Sequence, residues 1–185
     1  MKRSHLLFIV VALAQLGVLA WAIIGQERIL RQGEVFLFRT APLDPRDPFR
    51  GEYVRLDFEA ESGRWAVADS TTTTPRRYYA RLGTDSAGFA YITHLRTTPP
   101  PAGPYLAVRT GYDDGTAIIR VELPFDRYYL KEGEGARTEA LLMPQWADSA
   151  RSGPLPAHAV VRVHHGRAVV EDLVVGGRPL HAWLE

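Results

Sequence analysis

Five ionisable residues crowd one short stretch of the chain: Asp44, Arg46, Asp47, Arg50 and Glu52, within TAPLDPRDPFRGEYVRLDF at positions 40–58. Carboxylates and guanidiniums set this close can pair with one another. They can also hold a cation through the acids, or grip an anionic partner through the arginines, whose forked donors match carboxylate and phosphate oxygens. Surface ion pairs contribute only about 0–1 kcal/mol each, so stability is a thin reason for so dense a cluster. A salt-bridged corner is the plainer reading and a binding site the sharper one.

Elsewhere the chemistry is sparse. The histidines are His5, His94, His158, His164, His165 and His181, and none has HExxH-type spacing. His164 and His165 are adjacent on an expected strand and so face opposite ways. No metal site and no cofactor is expected. Neither GxSxG nor Ser-x-x-Lys occurs, and outside the N-terminus the only lysine is Lys131. The proline-rich corner running into Gly-acid-aromatic-Val resembles signal-peptidase-like β folds. Their nucleophilic serine is missing, since Ala41-Pro42-Leu43-Asp44 stands in its region. No catalytic residue is assigned. A paired-carboxylate glycosidase stays open, because carboxylate separation is a three-dimensional quantity. Glu132-Gly133-Glu134-Gly135 has loop glycines, but its acids would repel a phosphate. Net charge is +1 with signs interspersed and no basic stripe, so no nucleic-acid partner is expected. Cysteine is absent, which removes disulfides and thiolate sites.

The elements that must position the charged cluster follow from its own residues. Pro42, Pro45 and Pro48 recur every third position, each fixing φ and removing a backbone donor. The stretch is therefore a stiff corner and not a central strand. Gly51 permits a tight turn out of it. Strand 34–39 leads in. Strand 53–58 leads out, with Val54, Leu56 and Phe58 on one side. Further strands are expected at 77–82, 89–95, 105–109, 116–123, 159–164 and 168–175, most joined by glycine-bearing turns, with 180–184 closing the sheet. One short helix is expected at 135–143, ended by Pro144. The fold expected is mainly β: an antiparallel sandwich or barrel-like domain with one short helix, over residues 33–185.

Residues 1–32 have a different character. The run from Leu6 to Gly25, LLFIVVALAQLGVLAWAIIG, carries no charge and one strongly polar residue, Gln15. Some 20 residues at about 1.5 Å rise span the roughly 30 Å hydrocarbon core, and Trp21 falls where an indole favours the headgroups. Ala20-Trp21-Ala22 imitates a signal-peptide cleavage site. The apolar run is longer than a signal peptide needs and continues through Ile23 and Ile24, so a retained anchor is favoured. Lys2 and Arg3 favour a cytoplasmic N-terminus, a preference that Arg28 and Arg31 dilute. Arginine bias with abundant Ala, Gly and Pro suits a GC-rich genome. The expectation is a bacterial inner-membrane protein whose domain faces the periplasm. Residues 26–32 should continue the helix to a stop at Gly33.

Gly51-Glu52-Tyr53-Val54-Arg55-Leu56-Asp57-Phe58 resembles the motif of the GDYXXLXY family of membrane-anchored proteins, with Glu52 in place of Asp and Phe58 in place of Tyr. The lead-in Asp44-Pro45-Arg46-Asp47-Pro48-Phe49-Arg50 is similar to the family's. So is Asp126-Arg127-Tyr128-Tyr129-Leu130-Lys131-Glu132-Gly133-Glu134-Gly135, and more weakly Glu171-Asp172-Leu173-Val174-Val175-Gly176-Gly177-Arg178. The resemblance implies a membrane anchor and a β-rich domain, and it implies no activity. The expected role is a membrane-tethered, non-enzymatic interaction or assembly domain whose partner is another membrane protein. Its site would be the corner, with Tyr129, Glu132 and Gly133 beside it. An envelope hydrolase and a purely structural envelope protein are the rivals. Because one short strand separates helix from corner, the corner is expected near the membrane.

Overall fold

The computed structural model describes residues 3–40, 53–63, 65, 77–110, 121–142 and 155–185. A 30-residue helix, α1 (Arg3–Gln32), opens the chain. It is uninterrupted and apolar enough to cross a membrane, with most of its apolar side chains exposed and Ile29 buried against the domain. It ends at Gly33 as expected, but not through a left-handed turn, because Gly33 is absent from the positive-φ residues. The glycine is needed for close approach. A β-carbon there would collide with the Ile29 carbonyl oxygen and lie 3.1 Å from the Arg162 Cβ.

The remainder is mainly β. Strands β1 (Glu34–Arg39), β8 (Ala157–His164), β9 (Arg167–Val175) and β10 (Arg178–Pro179) form one antiparallel sheet in the order β1-β8-β9-β10. Strands β3 (Arg77–Thr84), β4 (Ala90–Arg96), β5 (Tyr105–Thr110) and β6 (Val121–Glu122) form a second, in the order β4-β3-β5-β6. A two-stranded ribbon pairs β2 (Tyr53–Arg55) with β7 (Arg127–Tyr129). The large sheets meet on both sides, where Leu37 bridges Phe89 and Leu106 bridges Gly166, so they wrap a half-barrel around one core. Helix α2 (Gly135–Leu142) matches the expected short helix. The chain ends differently from expectation: residues 181–184 form a helical turn, α3 (His181–Leu184), instead of a closing strand. Gly176 and Gly177 both take positive φ, making a tight turn whose exit strand is only two residues long. Leu180 and Leu184 then bury their side chains from helical positions.

Alternation places the core. In β1, Phe36 and Phe38 turn inward while Val35 stays exposed. In β3, Tyr78, Ala80 and Leu82 face in. Phe38, Phe58 and Phe125 pack edge to face with centroids 5.2–5.9 Å apart, the arrangement that aromatic quadrupoles favour. The β3–β4 turn is held by Asp85, which accepts from the Ala87 and Phe89 amides at 2.9 and 2.8 Å and from Arg39 at 3.0 Å. The Phe89 amide bond is the main reason its carboxyl sits below the ordinary range.

Candidate functional site

Residues 41–52 lie outside the described residues, and with them Asp44, Arg46, Asp47, Arg50, Gly51 and Glu52. Both ends of the corner are defined. On the entry side, Thr40 pairs antiparallel with Phe58, and its amide and hydroxyl both donate to the Ala157 carbonyl, at 3.1 and 3.0 Å. On the exit side, Tyr53 pairs with Tyr129. That pairing sets Tyr53, the first described residue after the corner, opposite the residue three positions before Glu132. Glu34 pairs with Val163, near the β8–β9 turn that lies against α1, whereas Arg39 pairs with His158 at the opposite end of the strand. Thr40 is therefore rooted away from the helix. A strand rises about 3.3 Å per residue, so β1 leads away from the docked end of α1, and the corner expected near the membrane lies outside the described residues.

The eight-residue motif splits by side. Val54, Leu56 and Phe58 are buried in the core. The Leu56 amide donates to the Asp126 carbonyl at 2.8 Å, extending the β2–β7 pairing. Immediately after the motif, a 3₁₀ turn (Glu59–Glu61) brings the Glu61 carboxylate back. It accepts from the Phe58 amide at 3.2 Å and the Leu123 amide at 2.7 Å. Burial pushes the Glu61 carboxyl above its ordinary value, against the lowering by those two amides. Sequence reasoning missed Glu61. Its spacing from Phe58 is that of a capping box, but a phenylalanine at the N-cap hides the pattern.

On the outer side, register places Tyr53 opposite Tyr129 and Arg55 opposite Arg127. Tyr129 is 69% exposed and Arg55 and Arg127 are exposed, while Tyr53 is partly covered. The Tyr53 and Tyr129 rings are 6.1 Å apart, and the Arg127 guanidinium sits 5.1 Å over the Tyr53 ring. A hydrogen bond to Tyr129, then the Asp126 carboxylate 3.6 Å away, raise the Arg127 pKa further. Like charges directly opposite on a ladder are destabilising. The exposed side of the ribbon carries Arg55 opposite Arg127, with Arg127 over the Tyr53 ring and beside Asp126.

Behind the ribbon, the Tyr128 hydroxyl lies 3.4 Å from Asp172, and His181 lies 3.9 Å from the same carboxylate. Burial first, then Asp172, raise the Tyr128 pKa. Asp172 stands next to a β-bulge, where the β8–β9 register shifts between Val160 and Val161. Both distances exceed the roughly 2.6–3.2 Å of a working proton relay, and the trio's visible effect is to tether β7 to β9. Among the described residues, no group of three or more His, Asp or Glu is placed to hold a metal ion.

Leu6, Gln15 and Trp21 are exposed along α1, and Gly25 is partly covered by the domain. A family model described as GDYXXLXY protein matches residues 15–173. No curated protein and no solved structure matches the chain.

Proposed function

From the premise that this chain belongs to the GDYXXLXY family, we propose that it is a membrane-tethered, non-enzymatic interaction or assembly domain. In this reading α1 anchors the chain in a bacterial inner membrane and the β domain faces the periplasm. The outer side of the β2–β7 ribbon, together with the charged corner that it leads out of, receives an acidic segment of another membrane protein. The observation that carries the proposal is the cross-strand pair Arg55 and Arg127, next to the exposed Tyr129 and with Arg127 over the Tyr53 ring. The pair weakens the ladder it belongs to, and a carboxylate partner would turn that repulsion into forked hydrogen bonds. Lys2 and Arg3 support the orientation, through the bias of cytoplasmic flanks toward basic residues.

The test is affinity capture of the full chain from native membranes through a C-terminal tag. The wild type should bring down a membrane protein that the double variant Arg55→Glu/Arg127→Glu does not, while the variant keeps its circular dichroism and melting temperature. Arg46→Glu and Arg50→Glu should act in the same direction. Equal capture by wild type and double variant would remove the ribbon as the site.

A further inference from the structure

We propose that the β8–β9 turn and the docked end of α1 bind phospholipid headgroups, with Arg28 and Arg167 as the phosphate-binding groups and His164 and His165 at the rim. The proposal rests on the reading that α1 spans the membrane. The apolar run ends at Gly25. The Arg167 guanidinium lies on the helix there, its nitrogens 3.4 and 3.7 Å from where a β-carbon on Gly25 would be. Residues three apart share a helix face, so Arg28 stands one turn beyond Gly25 on the side where Arg167 rests. Among the described residues, neither Arg28 nor Arg167 has a carboxylate partner, whereas Arg31 is paired with Glu27 at 2.7 Å and Arg162 with Glu171 at 2.7 Å. Two unneutralised guanidiniums are thus gathered at the depth where an inserted helix leaves the hydrocarbon.

The joint that sets this depth is rigid. Ile29 is 2% exposed beneath the domain. Arg162 bonds the Gly33 carbonyl at 3.3 Å and grips Glu171 with two nitrogens. From Gly25 to Gly33 the helix advances only about 12 Å, so a domain fixed at Gly33 cannot swing its β8–β9 turn clear of the headgroup layer. The turn itself is tight, with His165 and Gly166 both at positive φ, and the His164 and His165 rings are 4.3 Å apart. One turn deeper, Trp21 is 82% exposed, at a level suited to the interfacial belt. The negative surface potential of anionic lipid draws such basic juxtamembrane groups.

The chain has no cysteine, so single-cysteine variants report one position each. The full chain would be placed in nanodiscs of phosphatidylcholine, alone or mixed with phosphatidylglycerol, that carry a gadolinium-chelate headgroup lipid. Nitroxide would be attached at His165→Cys, at Ser86→Cys in the distal β3–β4 turn, and at Gly17→Cys within the apolar run. Cysteine replaces a residue that already holds a β-carbon at positive φ, so the turn is not newly strained. We expect relaxation at 165 to be enhanced several-fold over that at 86, and more so with phosphatidylglycerol. Adding Arg28→Gln and Arg167→Gln should abolish the dependence on phosphatidylglycerol. Equal relaxation at 165 and 86, with position 17 reading hydrocarbon, would overturn the proposal and leave the anchor intact. Enhancement at 165 that is indifferent to the arginine substitutions would also overturn it, because proximity would then come from the tether alone. Position 17 reading water would sink the anchor reading itself, and this proposal with it.

Discussion

Tyr53 and Arg55 are sequence neighbours of Val54, Leu56 and Phe58, and the two sets have opposite surroundings. The first set forms the outer side of the ribbon with Arg127 and Tyr129. The second is sealed in the core against Phe38 and Phe125. A family signature is often read as a single functional unit. Here Val54, Leu56 and Phe58 close the half-barrel, while Tyr53 is partly covered and Arg55 and Asp57 are exposed. Loss of function after mutation in this motif means different things on the two sides, and stability measurements separate them.

The largest effect should come from the inner side. Phe58→Ala is expected to cost about 3–5 kcal/mol, the range for a buried phenylalanine, and thermal melting of the full chain in detergent would show it. A shift no larger than that of Arg55→Ala would erase the proposed division. Next comes Glu61→Ala, which strips two amides of their acceptor, at about 1–3 kcal/mol for each that stays buried and unsatisfied. Denaturant titration of the same preparation measures that loss.

Glu61 also carries a pH signature. Its pKa is raised in the folded state by burial, so the folded protein binds the proton more tightly than the unfolded chain. The stability linked to this group is full below the ordinary value of 4.5 and falls as pH rises through the folded value. The slope of stability against pH just above 4.5 should flatten in Glu61→Gln. An unchanged slope would assign the pH dependence elsewhere. The smallest effect should come from the outer side. Arg55→Glu replaces a like-charge pair with an opposite-charge pair across the ladder. It should raise the melting temperature slightly while abolishing partner capture. A variant both less stable and unable to capture would show that the two sides are not separable.

Much of the architecture was legible in the residues. The ranges 34–39, 53–58 and 77–82, expected as strands, each contain one, and alternation in 53–58 put Val54, Leu56 and Phe58 on the side that is buried, because side-chain direction in a strand depends only on parity. The helix boundary at Gly33 was legible too, although its cause was misjudged: crowding by Ile29 and Arg162 requires the glycine. The closing strand at 180–184 was misread. Apolar residues over so short a run fit either period, and the Gly176-Gly177 turn decides between them. Of the expected site, 44–52 lies outside the described residues, and Arg55, Arg127 and Glu61 were not among the site residues singled out in the sequence. Nothing local reveals that Arg55 lies opposite Arg127, or that the Glu61 carboxylate reaches Leu123 across 62 positions of chain.

The residues alone determined the long apolar helix, the β character of the rest and the motif. These follow from composition, period and backbone restriction, all properties of neighbours along the chain. Tertiary structure decided which motif residues are buried beside Phe125 and which stand outside. It also decided that β1 ends at Thr40 away from the helix and that Arg167 folds back onto Gly25. Those outcomes depend on strand partners, register and the direction of β1, and each is selected by burial of the whole core at once.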